Sequence, residues 1–180
     1  KAEVFINGRL WQTCSGRQSV RLYRTWKDND RVELVFALSI RTSRWVEASV
    51  AVERGPLVFS LKIEETWQSV PSTDKWGDYQ EVYPAGPWNY GLLEEAVKDP
   101  QQGFTVVQKP VGAKPWALTG APVEIKTRGK RIPEWQLYNH SAGPMPASPV
   151  THLVQEPAQE ILLVPYGCTT LRITEFPVVR

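Results

Sequence analysis

Hydrophobic and polar residues alternate with a period of two over much of the chain. The clearest run is Val32, Leu34, Phe36, Leu38 and Ile40, with Glu33, Val35, Ala37 and Ser39 between them. Successive side chains of a strand point to opposite faces, so this run predicts a strand with one buried face. Shorter alternations predict further strands: Val20 and Leu22 against Arg21 and Tyr23, Val123 and Ile125 against Glu124 and Lys126, and Leu171 and Ile173 against Arg172 and Thr174. Turn-forming residues separate the runs, as at Asn7-Gly8, Asp28-Asn29-Asp30, Gly55-Pro56 and Tyr166-Gly167. Only Leu92 to Lys98 has helix-like spacing, and at two turns at most it reads as a loop or short strand. The 15 Pro and 12 Gly suit many turns and edge strands more than long helices. The expected fold class is all-β, a β-sandwich.

A length of 180 residues leaves room for one large sandwich or two small ones. Residues 1 to 63 and 158 to 180 read as regular strands. Residues 64 to 157 hold most of the Pro and five of the eight Trp, which suggests a second lobe inserted into the first. The aromatic complement of 8 Trp, 6 Tyr and 5 Phe is large enough to build a core without disulfides. Cys14 and Cys168, at opposite ends, form no CxxC pair and no thiolate-rich zinc spacing, and they read as free thiols. No run of about 18 apolar residues predicts a membrane span. Lys1 opens directly onto Val4-Phe5-Ile6, so no signal peptide is expected, and a start without Met inside a strand suggests a piece of a longer protein.

The formal net charge of +2 comes from scattered residues, which gives little support to a nucleic-acid or anionic-membrane partner. Arg128, Lys130 and Arg131, interrupted by Gly129, fit a polar turn better than a phosphate grip. Glycosidic cleavage usually needs two carboxyl groups about 5 to 10 Å apart. Glu64-Glu65 and Glu94-Glu95 are sequence neighbours that a strand would send to opposite faces, so neither reads as catalytic. His140 and His152 sit in Pro-rich loops without metal-ligand spacing. No catalytic residue, metal site or cofactor is expected. Trp76, Tyr79, Tyr83, Trp88 and Tyr90 fall in a turn-rich segment, and indole and phenol rings are natural platforms for the C–H faces of sugars. Trp76, Trp88 and Tyr90 are the candidate carbohydrate-binding residues, with packing in the core or between lobes as the competing role.

Five segments in order resemble the C-terminal part of glycoside hydrolase family 127, whose type activity is β-L-arabinofuranosidase: Arg24 to Leu34 (RTWKDNDRVEL), Ala51 to Leu61 (AVERGPLVFSL), Glu81 to Leu92 (EVYPAGPWNYGL), Arg131 to Leu137 (RIPEWQL) and Pro165 to Pro177 (PYGCTTLRITEFP). The resemblance implies a jelly-roll-like sandwich of residues 1–63 closed by residues 156–180, with 64–155 as an inserted second lobe. It also implies a partner, the (α/α)6 catalytic barrel that precedes these lobes in the family. There the nucleophile is a cysteine in a zinc site of three cysteines and a glutamate, all on the barrel. That motif is absent here, and Cys168 lies in a sandwich segment, so it does not inherit the role. The expected function is that of a non-catalytic accessory sandwich bracing the barrel of a bacterial enzyme. The alternative is a module that holds plant polysaccharide or oligosaccharide through exposed Trp and Tyr.

Overall fold

The computed structural model describes residues 1–17, 19–153 and 155–180. They divide into two units, Lys1–Ser39 and Ile40–Arg180.

In the first unit, β1 (Ala2–Ile6) lies between β2 (Arg9–Cys14) and β3 (Val32–Phe36) in an antiparallel sheet. The β1–β2 connection is the two-residue turn Asn7-Gly8, with φ of 51° and 77°. Positive φ at both central residues matches the right-handed twist of the flanking strands, and Asn-Gly tolerates it best. Asp30 fastens the next loop: its carboxylate accepts from the Asn7 side-chain amide at 2.7 Å and from the Lys27 backbone N–H at 2.9 Å. The register pairs Val4 with Leu34 and Ile6 with Val32, so these side chains share one face. Val4 and Ile6 are buried, but every residue of β3 is exposed. The expected strand is therefore present and apolar on one face, while the expected burial of that face is not found. Ile40, read as its continuation, belongs to the next strand, and Val20 to Tyr23 form no strand.

The second unit contains β4 (Ile40–Arg44), β5 (Val50–Arg54), β6 (Leu57–Leu61), β7 (Glu65–Val70), β8 (Tyr79–Pro84) and β9 (Tyr90–Leu93). Two short helices follow, α1 (Glu94–Lys98) and α2 (Pro100–Gly103), and then β10 (Thr105–Gln108) and β11 (Val123–Arg131). The chain closes with β12 (Leu137–Tyr138), β13 (Ser141–Ala142), β14 (Gln159–Pro165), β15 (Glu175–Phe176) and β16 (Val178–Val179). Nine strands form one sheet along the path β15-β5-β6-β14-β11-β9-β16, with β4 on β5 and β10 on β11. The hairpins β7–β8 and β12–β13 are separate two-stranded sheets. The described architecture is mostly β and fits a β-sandwich-like fold.

The main-sheet core follows the alternation in sequence. Val50 and Val52 of β5, Phe59 and Leu61 of β6, Ile125 of β11, and Ile161 and Leu163 of β14 are buried in one cluster with Leu92, Ile132 and Phe176. Fully burying an aliphatic or aromatic side chain of this size contributes about 1.5–3 kcal/mol. Two glycines are required by close approach around β9. A Cβ on Gly129 of β11 would lie 2.6 Å from the Gly91 carbonyl oxygen, and one on Gly91 would lie 2.9 Å from the Pro177 carbonyl oxygen and run into the Val179 side chain of β16.

Three local expectations are corrected. Leu92 to Lys98 is not a loop or short strand alone, because β9 ends at Leu93 and α1 starts at Glu94. Two acidic residues in the first turn and Lys98 in the last suit the helix dipole, and the Asp99 side chain accepts from Gln101 N–H to start α2. Arg128, Lys130 and Arg131 lie within β11 instead of a turn. Leu171 to Thr174 form no strand.

Candidate functional site

The three aromatic residues singled out from sequence occupy three different environments. Trp76 is 84% exposed on the connection between β7 and β8, with the Lys75 ammonium 4.7 Å from its ring centroid. Gly77, at φ +73°, donates to the Asp74 carbonyl and closes the turn that carries it. Trp88, just before β9, is half-buried and meets Trp135 edge-on at 5.1 Å. Tyr90 opens β9 at 8% exposure inside the core, and its hydroxyl donates to Gln159 Oε1 at 3.2 Å.

Of the three, only Trp88 lines a groove of about 530 Å³, together with Tyr83, Leu137 and His140. Glu81 forms part of the same wall and accepts hydrogen bonds from the hydroxyls of Tyr79 and Tyr83. The Glu81 carboxylate thereby pushes the Tyr83 phenol above its ordinary value. His140 is exposed at the tip of β12–β13, where Asn139 and His140 hold φ of 49° and 60° in a two-residue turn. The turn chemistry that sequence reading relies on, a glycine, is missing there, so this hairpin had no clear signal.

Glu65, Glu94 and Glu124 are engaged in structural contacts. Glu65 Oε1 accepts from the backbone N–H groups of Thr170 and Leu171. Glu94 and Glu95 stand on α1, not on a strand. Glu94 takes a fork of hydrogen bonds from Arg180 and a contact from Lys98, which hold its carboxyl down at about 2. Glu124 is buried on β11 between the ammonium groups of Lys62 and Lys109, at 2.8 and 2.7 Å. Burial alone would raise its carboxyl, but the hydrogen bonds from Lys109 and Lys62 outweigh it and leave it below the usual value. Lys130 donates to the carbonyls of Leu153 and Arg180, and Arg128 to that of Ala158. Cys14 and Cys168 are buried free thiols, and burial pushes the Cys168 thiol up. Among the described residues no group of three or more His, Cys, Asp or Glu is placed to hold a metal ion. No described helix is long and apolar enough to cross a membrane.

A second groove, of about 460 Å³, was not legible in sequence. Trp45, Trp116 and Tyr166, each strongly exposed, line it with Glu53 and Glu175. Its aromatic residues come from three distant parts of the chain, and only the sheet brings them together.

No protein-family model matches the chain, and no curated protein matches it. Among solved structures, the chain is similar to the glycoside hydrolase family 127 β-arabinofuranosidase BT3674, at 20% sequence identity and a TM-score of 0.54. The likeness covers 99% of this chain and 23% of that structure, so the chain spans about a quarter of the protein it matches. At this identity the likeness is one of fold.

Proposed function

We propose that the chain is a non-catalytic accessory β-sandwich of a larger, bacterial β-L-arabinofuranosidase-like glycoside hydrolase, and that it braces the catalytic barrel of that enzyme. The observation that carries this reading is the open apolar face of the first unit. Val32, Leu34 and Phe36 are 43%, 56% and 59% exposed on the side where Val4 and Ile6 are buried. With Val20 and Leu22 they wall a groove of about 510 Å³. A contiguous apolar face of this kind marks a surface made for a partner, and a three-stranded sheet needs a packed face to be stable. The fold likeness to a quarter of an arabinofuranosidase structure supports a catalytic portion as that partner.

The jelly-roll arrangement belongs to the same reading, with residues 1–63 closed by 156–180 and 64–155 inserted. Its support is the pairing of β14 with β6 and of β15 with β5. Within 64–155, β9, β10 and β11 share the main sheet, so the separate hairpins β7–β8 and β12–β13 are the parts that best suit an insert.

The test uses the longer polypeptide that includes the barrel. Leu34→Glu and Phe36→Glu should lower the barrel's thermal midpoint and increase its protease sensitivity, while the 180-residue chain with the same changes keeps its far-UV circular dichroism. A barrel indifferent to both changes would sink the bracing role. The isolated chain should release no sugar from arabinofuranosides, and release that disappears on changing one of its own residues would make it an enzyme.

One observation favours a second reading, a module that holds plant glycan: the indole of Trp76 stands almost fully in solvent at a turn. Loss of glycan binding on Trp76→Ala, without loss of stability, is its test.

A further inference from the structure

We infer that the groove walled by Trp45, Trp116 and Tyr166 is a saccharide-binding cleft for a short stretch of neutral glycan. It shares its ligand class with the second reading above but none of its residues.

The groove lies on the second unit alone, where β5 and β6 present Ala51, Glu53 and Val58 on the face opposite the core. Its aromatic residues are the unusual feature. Trp45 is 56% exposed, Trp116 65% and Tyr166 45%, although each is large enough to bury if packing were its role. A pocket of about 460 Å³ is within the ~300–1,000 Å³ of small-ligand sites. Sugar rings need apolar faces to cover their C–H bonds and acceptors for the hydroxyls around the rim, and aromatic rings interleaved with carboxylates supply both.

Each aromatic residue is held by its surroundings. The Trp45 indole N–H donates to Ser43 Oγ at 2.9 Å, and the turn after it holds Glu47 and Ala48 both at φ +54°. Non-glycine residues in this region persist only where the surrounding structure enforces them. The Arg44 guanidinium does so here, donating to the Ala48 carbonyl at 2.8 Å. Arg172 stacks over Tyr166 at 4.3 Å and donates to its hydroxyl at 3.1 Å. Trp116 lies beside Gly167, where an added Cβ would meet its ring at 3.5 Å. Rings fixed before binding lose little freedom when a ligand arrives.

Charge selects among glycans. Glu53 is held ionised by hydrogen bonds from Ser43 at 2.7 Å and from Arg41 at 2.7 Å, so its charge is already matched. Glu175 accepts from Ser49 Oγ at 3.3 Å. The Arg172 guanidinium is committed to Tyr166 and to the Thr169 carbonyl at 3.0 Å. Among the described residues no cation lines the groove to meet an acidic sugar, and the Glu175 carboxylate at its wall disfavours one.

The experiment is isothermal titration of the chain with xylohexaose, cellohexaose and arabinohexaose, and with hexagalacturonic acid as the acidic probe. At least one neutral probe should bind, the acidic one should not, and Trp45→Ala and Trp116→Ala should each weaken binding about fivefold or more. Trp45→Phe should retain most of the affinity, and Trp76→Ala and Trp88→Ala should leave it unchanged. Should an alanine variant fail to fold, the wild-type chain is titrated by NMR instead, and the Trp45 and Trp116 indole N–H resonances should shift with the neutral probe. Absence of binding at several millimolar, binding of the acidic probe alone, or an occupied groove that takes only a protein partner overturns the inference. Binding lost through Trp76 and kept through Trp45 and Trp116 overturns it too, and upholds the second reading in its place.

Discussion

The indole of Trp88 meets that of Trp135 edge-on, with ring centroids 5.1 Å apart and planes at 68°. Edge-to-face contact sets the positive rim of one ring against the negative face of the other, which adds about 0.5–1.5 kcal/mol to the burial of the pair. Trp135 is also the buried tie between the approach to β9 and the β12–β13 hairpin. Its indole N–H donates to the Gly143 carbonyl at 3.0 Å, and the Asn89 side-chain amide donates to the carbonyls of Trp135 and Ile132. Trp135→Ala should therefore cost about 3–5 kcal/mol in urea denaturation. Trp88→Leu should cost less, and a double-mutant cycle between the two should return a coupling of about 0.5–1.5 kcal/mol.

Arg180 closes the chain onto Glu94 with two hydrogen bonds, 2.9 and 3.1 Å, and Lys98 adds a third contact at 3.1 Å. The hydrogen bond from Arg180 is the larger cause, and Lys98 the next, of a carboxyl held at about 2 against an ordinary 4.5. A folded-state value below the unfolded one means the unfolded chain binds the proton first as acid is added. The stabilisation is thus complete above about pH 4.5 and is lost as pH falls towards 2. Glu94→Gln should lower the thermal midpoint at pH 7 and reduce its further fall between pH 5 and about 2. An acid limb identical to that of the unsubstituted chain would show that Arg180 and Glu94 do not pair in solution.

Elements with local instructions were legible in the sequence. Asn7-Gly8 and Gly55-Pro56 both sit in hairpin turns, and Gly55 takes φ +58° as the first central residue. The alternation at Val123 and Ile125 lies on the nine-residue β11. At Val32–Phe36 the pattern gave the strand and its apolar face, but alternation carries no information about what covers a face. α1 was missed because five residues make too little periodicity to separate a helix from a strand end. Among the aromatic residues, proximity in the chain does not carry over into space: Trp76, Trp88 and Tyr90 are neighbours in sequence and lie in a solvent turn, a groove wall and the core. Trp45, Trp116 and Tyr166 become neighbours only through strand pairing, which no local pattern encodes.

The contrast between Tyr90 and Trp76 gives the last prediction. Tyr90 lies within the core beside β11 and Gln159, so Tyr90→Ala should leave a cavity and cost about 3–5 kcal/mol, on the scale of other large aromatic truncations. Tyr90→Phe keeps the ring and removes only the hydrogen bond to Gln159, which predicts a loss of about 0.5–1.5 kcal/mol. Trp76 touches the protein mainly through the Lys75 ammonium over its ring, a contact exposed to water and worth little. Trp76→Ala should therefore stay within about 0.5 kcal/mol of the unsubstituted chain. Urea midpoints of the three variants check the ordering. If Tyr90→Ala unfolds no earlier than Trp76→Ala, then Tyr90 is not a core residue and returns to the set of rings that could meet a ligand.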